Sequence, residues 1–429
     1  MLSYVIEGNN KLEGTIKASG SKNAALPIIA TAILNSEKNV FYNIPNIEDT
    51  KITLQILRIL GCKVTAKSGK ITILSREMHS KTIPKELMHK LRSTVILAGA
   101  ILGRFGEATF SYPGGCNIGK RPIDLHLSSF EKMGVTIEEK DGYIHCKAKD
   151  GLKGAKIKLD FPSVGATENI ILASVYCKGM THIINAAKEP EIRDLARCLN
   201  KMGAKVYGAG TSRITICGVK KLHKTDYKIM TDRIETGTLL CAAAITHGRI
   251  KVENAQPENL LNVLYKLKEM GCTIFINRDD ITLKAPKELK SVEIETTPYP
   301  GFPTDMQPIL GAVLTQANGT SIIKENIFEN RFKYIYDLEK MGAKIQYIEK
   351  DNEIIINGRN ELKGDIVSSA DLRGGAALVL AGLCAKGKTK VENIEYILRG
   401  YENLSETKET RSKYKNRKGG INAKKNCKK

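Results

Sequence analysis

Apolar positions recur along this chain in two alternating registers. In one, an amphipathic stretch of period near 3.6 ends in Met or Leu, then Gly, and passes into a short run of alternating apolar and polar residues. Its copies are LRILGCKVTA from Leu57, FEKMGVTIEE from Phe130, LNKMGAKVYG from Leu199, LKEMGCTIFI from Leu267 and LEKMGAKIQY from Leu338. Each predicts a helix, a glycine in a left-handed C-cap and a strand. In the other register an Ala-rich, almost wholly apolar helix precedes a Gly-bounded turn and a strand. Those copies are ALPIIATAILNSEKNVFYNI, VILAGAILGRFGEATFSY, NIILASVYCKGMTHIINA, GTLLCAAAITHGRIKVEN, ILGAVLTQANGTSIIKEN and ALVLAGLCAKGKTKVENI. Five copies of one phrase and six of the other, returning about every seventy residues, predict an α/β protein of self-similar units. Each unit buries one Ala-rich helix against sheets.

A sixth Met-Gly phrase is missing. After RGYENL the period predicts a helix, a glycine and a strand near residue 412, but the chain runs on as SETKETRSKYKNRKGGINAKKNCKK, with ten Lys or Arg against two Glu and little apolar periodicity. This segment reads as a disordered tail. It could be a solvated end, an arm for nucleic acid or a membrane surface, or the product of a reading-frame change that replaced the original ending. An amphipathic face left uncovered by the missing phrase is expected to cost several kcal/mol.

The length of 429 residues implies two or more domains. Net charge is +21, much of it in the tail; the moderately basic remainder suits phosphate-bearing small molecules and also permits nucleic-acid contact. The amino terminus, MLSYVIEGNNKLEG, has neither the basic start nor the apolar run of a secretion signal, and the longest apolar stretches are too short to cross a bilayer. A cytoplasmic protein is expected. Ten cysteines without a CxxC pair read as reduced thiols, and seven histidines with no metal-ligand spacing give a metal centre no support. No cofactor is expected.

One stretch stands apart, SYPGGCNIGKRPIDLHL. Pro113, Gly114 and Gly115 break regular structure before Cys116, and Gly119 breaks it again, which predicts a mobile loop. Lys120 and Arg121 favour a thiolate and make room for an anion. Pro122 suits the first turn of a helix carrying Asp124, His126 and the stripe Leu125, Leu127 and Phe130. The alternative is that Cys116 is simply a small buried residue.

Together with SGSKNAALP, LRSTVILAGAILGRFGEATFSYPGG, DFPSVGATENI, DRIETGT, PGFPTDMQ, ENIFENRF, SADLRGGAALVLAG and RGYENL, this stretch resembles the UDP-N-acetylglucosamine enolpyruvyl transferases up to about Leu404. The resemblance implies an inverse α/β prism of two pseudo-symmetric domains with three repeat units each. The first would span 22–229 with the Cys116 loop, and the second 1–21 and 230–404 with Asp305 and Arg399, followed by the tail 405–429. It implies transfer of the enolpyruvyl group of phosphoenolpyruvate to the 3'-hydroxyl of UDP-N-acetylglucosamine, the first committed step of peptidoglycan synthesis. The alternatives are an impaired paralogue with an altered ending, or a basic nucleic-acid-binding repeat protein.

Such chemistry needs an acid for the methylene carbon, cations for carboxylate and phosphate, and a base for the sugar hydroxyl. By resemblance, Cys116 is the acid and Asp305 the base, although Asp305 in FPTDMQ also reads as a turn residue. Lys22, Arg121 and Arg399 would surround phosphoenolpyruvate, with Arg92 near the substrate phosphates. Asn23, Arg121, Pro122, Asp124, Leu125, Ser163, Val164, Gly165, Asp305 and Ile327 would bind the nucleotide sugar. In PSVGATE small residues leave N–H groups open to a diphosphate, and Ser163 or Thr167 also reads as an N-cap. Asp371 and Arg373 match a family pair and read equally as a salt bridge. Arg331 and Glu235 are placed in the cleft without a role. Phe161 and Pro162 stand where some members of the family carry a lysine.

Overall fold

The computed structural model describes residues 2–114, 118–119, 123–359, 361–402 and 404. The six Ala-rich phrases form the helices Lys22–Thr31, Ile96–Phe105, Val164–Ser174, Arg233–Ile245, Gln307–Leu314 and Leu372–Cys384. Apolar residues all round such a helix leave it no face for water, so it is buried. Small residues then let helices approach closely. A Cβ on Gly99 would collide with Asn169 Oδ1, and one on Gly103 would lie 2.7 Å from the Leu172 carbonyl oxygen.

The five amphipathic phrases form Glu48–Ile59, Asp124–Lys132, Pro190–Lys201, Leu261–Glu269 and Ile335–Lys340, each with an exposed polar side. The glycine after each, at 61, 134, 203, 271 and 342, has φ of +100°, +87°, +98°, +94° and +101°. Those are backbone angles that an L side chain resists.

Sheets repeat one plan. Lys156–Lys158 runs parallel to Met180–Ile184, which pairs antiparallel with Arg213–Cys217, and Lys205–Tyr207 completes the edge. Glu293–Glu295, Thr320–Lys324, Glu353–Asn357 and Lys344–Ile348 follow the same order. The last repeat departs from it. Lys388–Glu392 still runs parallel to Ile366–Ser368, but its antiparallel partner is the amino-terminal strand Ser3–Glu7, in register Ser3 to Glu392. Tyr4 and Ile6 are 3% and 1% exposed there, so this strand buries its own apolar side against the last repeat. The segment 405–429, where a helix, glycine and strand were expected, lies outside the described residues.

The chain divides into two compact units, one of residues 20–114 and 123–230, the other of 2–19, 118–119 and 231–404. Each has its own apolar core. The chain passes between them at 19–20 and 230–231, and again on either side of 118–119.

In the second unit Asp232 caps Arg233–Ile245 by accepting from the N–H groups of Ile234 and Glu235. Glu235, 8% exposed, accepts from Ser19 N–H at 2.9 Å and Ser19 Oγ at 3.2 Å. Burial above all, joined by the charges of Asp232 and Glu402, pushes the Glu235 carboxyl up to about 8 against the Ser19 hydrogen bonds. The folded chain therefore holds this proton more tightly than the unfolded chain. Its stabilising contribution is complete below the ordinary carboxyl range and is lost as pH rises through about 8. Thermal midpoints should fall from pH 5 to pH 8.5, and Glu235→Gln should flatten that fall. An equally steep profile in the variant would place the titration elsewhere.

Candidate active site

In the unit of residues 20–114 and 123–230, Ser21 caps Lys22–Thr31 by accepting from the Ala24 N–H at 3.3 Å. Lys22 thus sits at the first helical position, where the helix dipole opposes a cation. A carboxylate offsets that opposition: Asp49, wholly buried in the first turn of Glu48–Ile59, meets Lys22 Nζ at 2.7 Å. Asn23 follows it, half-buried, and Arg92 opens the 3-10 turn Arg92–Val95, also half-buried.

Two further groups in this unit come from the starts of helices. Asp124, exposed, and Leu125, half-buried, begin Asp124–Lys132. Ser163 caps Val164–Ser174 by accepting from the Ala166 N–H at 3.3 Å, which leaves Val164 and Gly165 in the first turn. Thr167 is not the cap: its hydroxyl donates to the Ser163 carbonyl at 2.8 Å and accepts from the Ala187 N–H at 3.1 Å.

Cys116, Arg121 and Pro122 lie outside the described residues. Before them, Gly114 donates its N–H to the Met88 carbonyl at 3.0 Å, and a Cβ there would collide with the His89 carbonyl. Its glycine therefore serves close approach to the His89 carbonyl.

In the other unit Asp305 lies in the 3-10 turn Thr304–Met306, 29% exposed. Its Oδ1 accepts from Arg331 Nη2 at 2.9 Å and its Oδ2 from Arg373 Nη2 at 3.1 Å. Both arginine side chains are almost fully buried, at 3% and 2%. Burial works against the Arg373 charge, but Tyr401 and the carboxylates of Asp305 and Asp232 outweigh it and hold the guanidinium above its usual range. The Tyr401 ring lies 5.2 Å from the guanidinium carbon.

The expected Asp371–Arg373 salt bridge is corrected by these contacts. Asp371 caps Leu372–Cys384 through the N–H groups of Arg373 and Gly374, and the Arg373 side chain turns to Asp305. Residues two apart at a helix start do not face each other.

Glu325, 2% exposed, ties the neighbouring loops together. It accepts from Thr296 Oγ1, Thr304 Oγ1 and the N–H groups of Ile327 and Phe328 at 2.8–3.2 Å. Ile327 and the residue before Asp305 thus share one anchor. Ile118 belongs to this unit and accepts from the Asn330 N–H at 3.0 Å. Arg399 ends the turn Ile397–Arg399, half-buried. The arrangement offers a half-buried carboxylate held at both oxygens by buried guanidiniums.

A protein of Caldanaerobacter subterraneus subsp. tengcongensis named UDP-N-acetylglucosamine 1-carboxyvinyltransferase 2 is 49% identical to this chain over 405 residues, covering 94% of it and 96% of the relative. The chain belongs to that family. The UDP-N-acetylglucosamine 1-carboxyvinyltransferase of Finegoldia magna is 47% identical over 396 residues, covering 92% of this chain and 93% of its own. The family model described as EPSP synthase (3-phosphoshikimate 1-carboxyvinyltransferase) matches residues 6–407. Among solved structures, the enolpyruvyl transferase NikO from Streptomyces tendae superposes with a TM-score of 0.85 at 24% identity, over 95% of this chain and 96% of its own. That likeness fixes the fold, the inverse α/β prism of the carboxyvinyltransferases.

Within this carboxyvinyltransferase, burial holds the thiols of Cys62, Cys146, Cys177, Cys198, Cys241, Cys272 and Cys384 well above the usual cysteine range. They are protonated and inert at neutral pH. No group of three His, Cys, Asp or Glu suited to a metal ion occurs among the described residues, and none of their helices is long and apolar enough to cross a membrane. Asp49 and Glu325 escaped the sequence analysis. Only their complete burial marks them, and a charged residue in the first turn of a helix or after a strand reads as ordinary surface.

Proposed function

We propose that this carboxyvinyltransferase moves the enolpyruvyl group of phosphoenolpyruvate onto the 3'-hydroxyl of UDP-N-acetylglucosamine and releases phosphate, opening peptidoglycan synthesis in the cytoplasm. The 49% identity across 94% of the chain carries this reading. The sugar oxygen bonds to C2 of phosphoenolpyruvate, its proton passes to Asp305, and Cys116 delivers a proton to the methylene carbon. The tetrahedral adduct then expels phosphate, which takes the proton from Asp305, while the new methyl group returns a proton to Cys116 and restores the double bond. Lys22, Arg92, Arg121 and Arg399 hold the carboxylate and phosphates. Asn23, Pro122, Asp124, Leu125, Ser163, Val164, Gly165 and Ile327 hold the nucleotide sugar. Asp371 and Arg373 support Asp305, the first by capping the helix that carries the second.

Phosphate release from phosphoenolpyruvate should depend on UDP-N-acetylglucosamine and drop at least about a hundredfold in Cys116→Ala. Release driven by shikimate 3-phosphate in place of the nucleotide sugar would overturn the substrate assignment.

A further inference from the structure

Two neighbouring strands of the unit that holds Asp305 deliver their next residues to one place. Glu293–Glu295 runs parallel to Thr320–Lys324 with Glu295 opposite Lys324, so Thr296 and Glu325 leave the same end of the sheet side by side, both buried. From Thr296 the chain loops back through Phe302, whose carbonyl accepts from the Thr297 N–H at 3.2 Å, to the turn Thr304–Met306 that carries Asp305. From Glu325 it runs through Ile327 and Phe328 to Arg331, whose Nη2 donates to Asp305 Oδ1 at 2.9 Å. Both loops thus end at the Asp305 carboxylate, and both begin beside Glu325.

Glu325 holds each of them. Its Oε1 accepts from Thr296 Oγ1 at 2.9 Å and from the N–H groups of Ile327 and Phe328 at 2.8 and 3.2 Å. Its Oε2 accepts from Thr304 Oγ1 at 3.0 Å, one residue before Asp305. The Asn352 side chain also braces the second loop, donating to the carbonyls of Glu325 and Phe328 at 2.7 and 3.0 Å. A carboxylate out of water holds such donors more strongly than a neutral acceptor would.

We propose that Glu325 is a positioning residue of the transfer reaction. Through the Thr304 hydroxyl it sets where Asp305 stands, and through the N–H groups of Ile327 and Phe328 it sets the loop that brings Arg331 to Asp305. This rests on the reading of Asp305 as the base. A base works only within hydrogen-bond reach of the proton it takes, and a misplacement of about 1 Å costs on the order of a hundredfold in rate.

Glu325→Leu would take the acceptor from two N–H groups and two hydroxyls and put the fold itself at risk, so the decisive variant cuts a single arm. Thr304→Val replaces the hydroxyl by a methyl group of similar size. It should lower kcat for phosphate release by about tenfold to a hundredfold with KM for phosphoenolpyruvate unchanged, and Thr304→Ser should recover most of the rate. In an Asp305→Asn background the same Val substitution should cost less than about twofold more, because the base whose place it sets is already gone. A hydroxyl with a purely structural role would cost the same factor in both backgrounds. That result, or a Thr304→Val enzyme with wild-type kcat, would overturn the proposal, whereas an Asp305→Asn enzyme that keeps its rate overturns the reading of Asp305 as the base.

Discussion

Asp305→Asn is expected to lower turnover by about 10²–10⁴-fold, the range for loss of a positioned general base. The amide keeps the shape of the carboxylate but cannot take the sugar hydroxyl proton. It also faces two buried guanidiniums with one acceptor. Arg331 and Arg373 now donate to separate oxygens of Asp305, at 2.9 and 3.1 Å. In the variant one of them meets an NH2 group, and two nearly fully buried positive charges lose their shared countercharge. Stability should fall by about 3 kcal/mol. The two effects separate if calorimetric binding of UDP-N-acetylglucosamine is measured beside the rate. Folded protein that binds the nucleotide sugar yet keeps more than a tenth of the wild-type rate would remove Asp305 from the reaction.

Replacing Lys22 by Met should abolish measurable turnover and destabilise the fold together. The lysine is the cation nearest a helix start that carries no other charge in its first turn, and its loss takes the ion-pair partner at 2.7 Å from the fully buried Asp49 carboxylate. Breaking a buried pair from one side costs about 3–5 kcal/mol, because the remaining buried charge loses its countercharge. Adding Asp49→Asn to Lys22→Met should restore much of the stability and none of the activity. Asp49→Asn alone should keep the fold and raise KM for phosphoenolpyruvate, since the ammonium would lose the group that holds it in place. Additive stability losses in the double variant, measured by urea unfolding, would show that the two side chains are not coupled.

The helices and strands were readable in advance because each is set by local chemistry. Apolar period, glycine at the helix end and Ala-rich composition act within about one turn, and all five Met-Gly or Leu-Gly glycines do have positive φ. Ser163 as a cap follows from the same short-range rules. By resemblance the motifs assigned Lys22, Asp305, Arg373 and Ile327 to one expected chemistry, since they match a known family over most of the chain.

Partners were a different matter. A pattern records which positions are apolar, and many charged residues share the same pattern while only burial decides which must be paired. Asp305 meets Arg331 and Arg373, 26 and 68 residues away in sequence, while the adjacent-looking Asp371 turns to the backbone. Asp49 reaches Lys22 because the two helices of one repeat bring their starts together. The amino-terminal strand enters the last sheet because Lys388–Glu392 has a free antiparallel edge and Tyr4 and Ile6 have apolar surface to bury. Local periodicity thus determined the elements and the chemistry on offer. The tertiary structure alone chose which charges neutralise one another, because the cost of a buried charge depends on what the rest of the fold places within a few ångströms of it.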